Sequence, residues 1–140
     1  MLGSTLRRLP LVVLLACACA RPEAEGAVAI EVAGAARTLT RGELAALPVA
    51  QVTYHEHVYT GVRLRDLLTP AELAVQAPLE AGGADGYAKT LAPELLGRDD
   101  ALLAYAVDDG PLPAGQGPLR LVVAGSQGLS VKRLVRLARP

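Results

Sequence analysis

Two histidines one residue apart, His55 and His57, are the side chains whose spacing most directly suggests metal chemistry. On a β-strand, residues i and i+2 point to the same face, so both imidazoles could reach one zinc or copper ion. Stable metal sites usually need three or four protein ligands, and the chain has no other histidine and no cysteine beyond Cys19. A site on this pair therefore requires carboxylates or a second molecule. The alternative is a solvent-facing or hydrogen-bonded pair near the end of a hairpin.

The two cysteines of the chain, Cys17 and Cys19, both lie in an apolar N-terminal segment. Arginines precede the apolar run 9–16, and small residues follow it up to Ala20, which is the pattern of an export signal. The run is about half as long as a membrane-spanning helix requires. We therefore expect a signal peptide over 1–20 and a periplasmic or secreted protein. The Leu-Leu-Ala sequence before Cys17 resembles a lipoprotein signal, so lipidation at Cys17 is the alternative to cleavage after Ala20.

The rest of the chain is interpreted as a flexible lead-in over 21–26 followed by a single domain over 27–140. Of the 14 basic residues, two belong to the leader, which leaves 12 against 14 acidic residues. Nucleic-acid binding normally needs a concentrated basic face, so this class of partner is excluded. Membrane contact is expected only through a lipid anchor, and the oligomeric state stays open.

Short alternating apolar segments separated by turn residues predict an α+β domain that is mainly β, with mixed sheets and short helices. Thr40 followed by Glu43 is a capping-box signature and places the start of a helix at Arg41. The aspartate pairs 99–100 and 108–109 are interpreted as turn residues. We expect helices over 41–47, 70–75 and 94–97, a bend and helical turn over 61–68, and a loop over 81–86. Strands are expected over 27–32, 37–40, 49–55, 57–59, 87–91, 101–107, 119–123 and, after a turn, within 129–137.

A series of short motifs resembles the sulfite-oxidase-type molybdopterin-binding domain family. The most distinctive motif is Gly-Val-Arg-Leu-Arg-Asp-Leu-Leu over 61–68, which is similar to the family's Gly-Val-x-Leu-x-x-Leu-Leu element. Further blocks follow in the family's order at 85–87, 102–105, 109–113, 117–123 and 130–132. The resemblance implies the sulfite-oxidase-like fold over roughly 49–137.

The resemblance also implies a cofactor, and here the sequence departs from the family. In active members, a cysteine between the strand matching 49–55 and the Gly-Val-x-Leu element coordinates molybdenum beside the pterin dithiolene. The corresponding segment 56–60 contains no sulfur. Soft thiolate donors suit such a metal, and neither histidine nor tyrosine is an equivalent ligand. Ala124 and Arg133 also replace a proline and an aromatic residue that are common in the family.

Three residues are candidate cofactor-binding positions by the same resemblance: Lys132 and Ser130 of the Ser-x-Lys element, and Arg120. The family uses this lysine near the pterin and its phosphate. The alternatives are structural. Lys132 would begin a strand with a solvated face, and Arg120 would be a buried arginine paired with one of the aspartates 85, 99 or 100.

We therefore expect an exported, single-domain member of this fold that lacks molybdenum catalysis. It would act as a binding or accessory module of the cell envelope, toward a small anionic ligand, a pterin-like molecule or a protein partner. One alternative is an oxidoreductase component that retains molybdopterin without thiolate ligation. Another is a small periplasmic metal-binding protein that uses His55 and His57.

Overall fold

The computed structural model describes residues 26–32, 34–126 and 129–139, which form two β-sheets on either side of a shared apolar core. The predicted signal peptide, the lead-in up to residue 25 and the lipidation candidate Cys17 lie outside the described residues. No helix among the described residues is long and apolar enough to cross a membrane.

The first sheet has the strand order β2-β1-β11-β5-β6, with β1 and β11 parallel and the other neighbours antiparallel. Its strands are β1 (Val28–Val32), β2 (Ala35–Leu39), β5 (Leu79–Gly83), β6 (Ala88–Leu91) and β11 (Leu134–Ala138). The parallel pair joins the beginning of the described domain to its end, so the first sheet depends on contacts between distant parts of the sequence.

The second sheet has the order β10-β9-β7-β4-β3 and is antiparallel throughout, with β8 paired to the end of β7. Its strands are β3 (Ala50–Tyr54), β4 (His57–Arg63), β7 (Ala101–Val107), β8 (Gly110–Pro111), β9 (Arg120–Val123) and β10 (Ser130–Val131). This sheet carries most of the candidate functional residues.

Within the described ranges, three short helices and one 3-10 turn connect the strands: α1 (Arg41–Ala45), α2 (Leu64–Leu67), α3 (Pro70–Ala74) and the 3-10 turn Pro93–Leu95. The predicted capping box at Thr40 and Glu43 is confirmed, since each side chain bonds the other residue's backbone N–H. Thr69 and Glu72 form a second capping box at α3. Both helices are only five residues long, so these caps supply a large share of their local stabilisation.

Strand alternation divides the second sheet into two apolar faces. On β7, Ala101 and Leu103 belong to the core between the sheets, whereas Leu102 and Ala104 belong to a smaller cluster on the sheet's other face. This smaller cluster, which we call the outer cluster, contains Ala50, Tyr54, Tyr59, Leu102, Ala104, Leu112 and Val122. Because β7 is apolar on both faces, the second sheet is buried on both sides at its centre.

The mainly β fold class is confirmed, and two local expectations are wrong. The segment 61–68 was expected as a bend and helical turn, but its first three residues extend β4 to Arg63 before α2 begins. The first three residues of the expected loop 81–86 belong to strand β5. Leu79 and Ala81 of this strand are fully buried, and the residues after each of them are half-buried. Glycines 82 and 83 suggested a loop, but a glycine also permits close approach of neighbouring backbone within a sheet.

Candidate functional site

Arg120 is the most unusual side chain of the second sheet, because it is charged and only 8% exposed. It begins β9 and is paired in register with Ala104 of β7, whose side chain belongs to the outer cluster. Strand alternation therefore directs Arg120 and Val122 to that same face, with Leu121 and Val123 in the central core. Arg120 therefore places a positive charge on an apolar face of the sheet.

Neutral oxygen atoms hold the Arg120 guanidinium in place. Its Nε donates to Ser130 Oγ at 2.7 Å, and its Nη1 donates to Tyr59 Oη and to Gln116 Oε1, both at 2.8 Å. These acceptors come from β10, β4 and the loop before β9, so three separate segments converge on one side chain. Charge-assisted bonds of this length are stronger than neutral ones and fix the guanidinium plane.

Two aromatic rings complete the surroundings of Arg120. Its guanidinium carbon lies 5.3 Å from the centroid of Tyr59 and 5.7 Å from that of Tyr54. The two rings meet edge-on with centroids 6.2 Å apart. Aromatic faces attract a cation without neutralising it, so the environment stabilises the guanidinium but leaves its positive charge uncompensated.

The expected pairing of Arg120 with an aspartate is wrong. Asp99 pairs with Arg65, and Asp100 pairs with Arg98 at 2.6 Å. Asp85 lies near Arg120, but its carboxylate accepts the backbone N–H of Tyr87 at 3.1 Å. Among the described residues, no carboxylate lies within 4.0 Å of the Arg120 guanidinium.

A cavity of about 270 Å³ opens beside Arg120. It is lined by Asp85, Tyr87, Arg120, Ser130 and Lys132, and we call it the Arg120 cavity. Two cations and one carboxylate give it a net positive charge. Tyr87 is 47% exposed and adds an aromatic surface at the rim. The structure thus brings all three candidate cofactor-binding residues to one cavity.

Lys132 reaches this cavity from the turn between β10 and β11 and does not begin a strand as the structural alternative expected. The turn packs closely on β5. A β-carbon added to Gly83 would lie 2.7 Å from the carbonyl oxygen of Lys132, so only glycine fits here. The adjacent backbone bond from Ala84 N–H to Arg133 O, 2.8 Å long, fixes the turn. Gly83 therefore helps to position Lys132.

His55 and His57 do not line the Arg120 cavity, although the His55 ring meets the Tyr54 ring edge-on with centroids 4.2 Å apart. His55 and Glu56 form the two-residue turn between β3 and β4, with φ angles of 50° and 68°, so the regular strand assumed for the histidine pair is not present. His57 Nδ1 lies 2.6 Å from Asp108 Oδ2. The hydrogen bond from Val58 N–H to Asp108 Oδ1, followed by the His57 contact, lowers the pKa of Asp108.

No cluster of three or more His, Cys, Asp or Glu side chains with metal-binding geometry occurs in the part of the chain that the structure describes. At this hairpin end His57 is thus hydrogen-bonded to Asp108 and His55 is exposed, and metal binding by the pair stays a prediction. The turn placement of Asp99, Asp100, Asp108 and Asp109 is confirmed.

Three residues of the site could not be identified from the sequence: Tyr59, Gln116 and Tyr87. Tyr59 is 61 positions from Arg120, and only the pairing of β4, β7 and β9 brings them together. Gln116 lies in a turn whose backbone oxygen also accepts Arg133 N–H at 2.8 Å. For Tyr59 the sequence offered one signal, namely a polar hydroxyl on a strand close to the apolar segment 101–107.

The donor set does not fit a thiolate-ligated molybdenum. Both cysteines precede Ala20 and lie outside the described residues, and the segment 56–60 supplies only a turn and the start of β4. The Arg120 cavity offers guanidinium, ammonium and hydroxyl donors, which suit an oxyanion or phosphate group and not a soft metal ion.

The comparison with protein families identifies one family for this chain. None of the curated proteins matches this sequence significantly. A family profile described as "Oxidoreductase molybdopterin binding domain" matches residues 9–138, which is nearly the whole chain. The chain therefore belongs to the oxidoreductase molybdopterin-binding domain family, of the sulfite-oxidase type.

Proposed function

We propose that this protein is an exported binding or accessory module of the cell envelope that recognises a small anionic group in the Arg120 cavity and lacks molybdenum catalysis. The observation that carries the proposal is the buried Arg120 guanidinium, which has no carboxylate partner among the described residues. Burial of a charge without an opposite charge is unfavourable, so an anion that enters the cavity gains an unusually strong partner.

The geometry of the cavity supports a compact anion. Lys132 is exposed and adds a second cation, while Ser130 connects to Arg120 through the 2.7 Å bond. The volume of about 270 Å³ lies just below the range of about 300–1,000 Å³ that is typical of small-molecule sites, so the cavity suits a compact ligand. Tyr87 at the rim can cover a planar group attached to the anion.

Calorimetric titration with inorganic phosphate and pyrophosphate tests the binding proposal. We expect binding that weakens as the salt concentration rises. Lys132→Gln should lose affinity about tenfold, because the exposed Lys132 contributes at the lower end of the roughly 1.5–3 kcal/mol of a charge-assisted contact. Arg120→Lys should lose more, because an ammonium cannot bond Tyr59, Gln116 and Ser130 with the geometry of a guanidinium.

Arg136→Gln is the matched control, because Arg136 is exposed and its ion pairs with Glu31 and Glu80 lie on the first sheet. Lys132 is exposed, so its substitution should leave folding intact. Equal affinity in wild type, Lys132→Gln and Arg136→Gln would contradict an anion site at the Arg120 cavity.

Elemental analysis of protein purified from its native host tests the proposed lack of molybdenum catalysis. Near-stoichiometric molybdenum would overturn that proposal in favour of an oxidoreductase component that retains the cofactor without thiolate ligation. Zinc or copper that disappears in the His55→Ala/His57→Ala variant would instead favour the metal-binding alternative.

A further inference from the structure

The two sheets present four edges in the described part of the chain, and three of them are protected against pairing with another strand. The edge strand β2 contains Arg37 at its centre, β6 contains Lys89, and β10 is only two residues long. Charged side chains and short length are the usual devices that prevent edge-to-edge association.

The fourth edge, β3, has none of these protections. It spans Ala50–Tyr54, with the sequence Ala-Gln-Val-Thr-Tyr, and contains no charge, no proline and no bulge in its pairing with β4. No hydrogen bond joins its outward backbone groups to any other described segment. Alternate residues of β3 therefore present unpaired N–H and C=O groups to a further strand.

The exposed side chains of β3 itself are also uncharged. Gln51 and Thr53 are exposed and lie opposite Thr60 and Val58 of β4, and Gln51 Nε2 donates to Thr60 Oγ1 at 3.2 Å. Val49, which precedes β3, is 60% exposed, and Val58 is 38% exposed. Exposed valine and threonine on an open edge are typical of a surface that pairs with another strand.

We propose that β3 pairs antiparallel with β3 of a second copy of this chain about a two-fold axis at Val52. In this register Gln51 lies opposite Thr53 of the second copy, so a side-chain amide meets a hydroxyl group. Ala50 lies opposite Tyr54 of the second copy, so a small side chain meets a large one. No like charges meet. The same symmetric pairing at β2 would place the two copies of Arg37 directly opposite each other, which is destabilising.

The contact is a symmetric strand pair of limited size, so we expect a weak dimer that forms reversibly as the protein concentration rises. Sedimentation equilibrium of the purified full-length chain measures its dissociation constant. The matched variants are Gln51→Lys/Thr53→Lys, which brings lysines together across the two-fold axis, and Gln51→Glu/Thr53→Lys, which brings opposite charges together in both symmetric pairs.

We expect the like-charge variant to weaken the dimer about tenfold or more, and the opposite-charge variant to dimerise at least as tightly as wild type at low salt. Ala36→Lys/Thr38→Lys adds the same charge to exposed positions of β2 and should leave the dissociation constant unchanged. Thermal unfolding of each variant checks that the fold is retained, since all four positions are exposed.

A wild type that stays monomeric at all accessible concentrations would overturn the proposal. Dimerisation that is equal in wild type and the like-charge variant would exclude β3 as the contact. Failure of the opposite-charge variant to dimerise, with the fold retained, would overturn the register about Val52.

Discussion

Glu72 and Arg120 are the two buried charged residues among the described residues, and they differ in whether an opposite charge lies beside them. Glu72 has a full ionic partner, because its two oxygens accept Arg37 Nη1 and Nη2 at 2.7 and 2.9 Å. Arg120 has only neutral acceptors and aromatic faces. The first arrangement is typical of a structural ion pair, whereas the second leaves charge available for a ligand.

The Glu72 ion pair predicts a loss of stability in acid. The hydrogen bond from Arg37 is the main cause that lowers the pKa of Glu72 from 4.5 to about 2. Because the folded pKa lies below the unfolded value, the stabilisation is fully present above about pH 4.5 and disappears as the pH falls toward 2. Glu72→Gln should therefore lower the free energy of unfolding at pH 7 by roughly 2–3 kcal/mol and flatten its change across that interval.

Glu43→Gln is the control for this prediction, because Glu43 occupies the same capping-box position in α1. Its side chain is exposed and has no arginine partner among the described ion pairs. Chemical denaturation between pH 2 and pH 7 measures both variants. If the free energy of unfolding fell equally steeply with decreasing pH in wild type and Glu72→Gln, the ion pair with Arg37 would not be the cause of the acid sensitivity.

At the scale of elements, β4 shows why a family motif is a poor guide to local structure. The Gly-Val-Arg-Leu motif suggested a bend, yet its glycine is part of a central strand. Gly61 is opposite Ala104 of β7, at a register shift that follows Thr60. A β-carbon at Gly61 would overlap the carbonyl oxygen of Leu103, so the glycine permits the close approach of β4 and β7.

This close approach predicts that Gly61→Ala is strongly destabilising. The added methyl group would displace backbone atoms of Leu103 and Ala104, and overpacking of this kind costs about 3 kcal/mol. Thermal or denaturant unfolding of the variant measures the effect. Gly97→Ala is the control, because nothing lies within 4 Å of its added β-carbon. Similar stability of the two variants would contradict a steric requirement at Gly61.

At the scale of the whole molecule, the anion site and the self-pairing edge share one side chain: Tyr54 belongs to β3, and its ring lies 5.7 Å from the Arg120 guanidinium carbon. The residues that line the Arg120 cavity, however, all lie outside β3. Arg120, Ser130 and Lys132 belong to the β9–β10 side of the second sheet, whereas β3 is its opposite edge. The dimer proposed at β3 therefore leaves the Arg120 cavity open in both copies. Loss of dimerisation should leave phosphate affinity unchanged, which keeps the two proposals experimentally separate.

The proposed export of the whole molecule depends on the leader. We expect deletion of residues 2–20 to retain the domain in the cytoplasm, and protease accessibility in spheroplasts measures this. Equal accessibility with and without the leader would contradict export by this segment.

Cys17→Ser separates the two processing routes. Loss of membrane retention indicates a lipid anchor at Cys17, and unchanged soluble release indicates cleavage after Ala20. Cys19→Ser serves as the control.

The sequence by itself determined the mainly β fold, the capping box at Thr40 and the absence of thiols after Cys19. These are short-range properties, since alternation, caps and residue identity act within a few positions. The tertiary structure alone decided that β5 is a strand and that His55 lies in a turn. It also decided that Arg120 bonds Tyr59, Gln116 and Ser130 and not an aspartate. The partners of a buried charge come from distant segments that meet only when the sheets pack, and no local pattern encodes them.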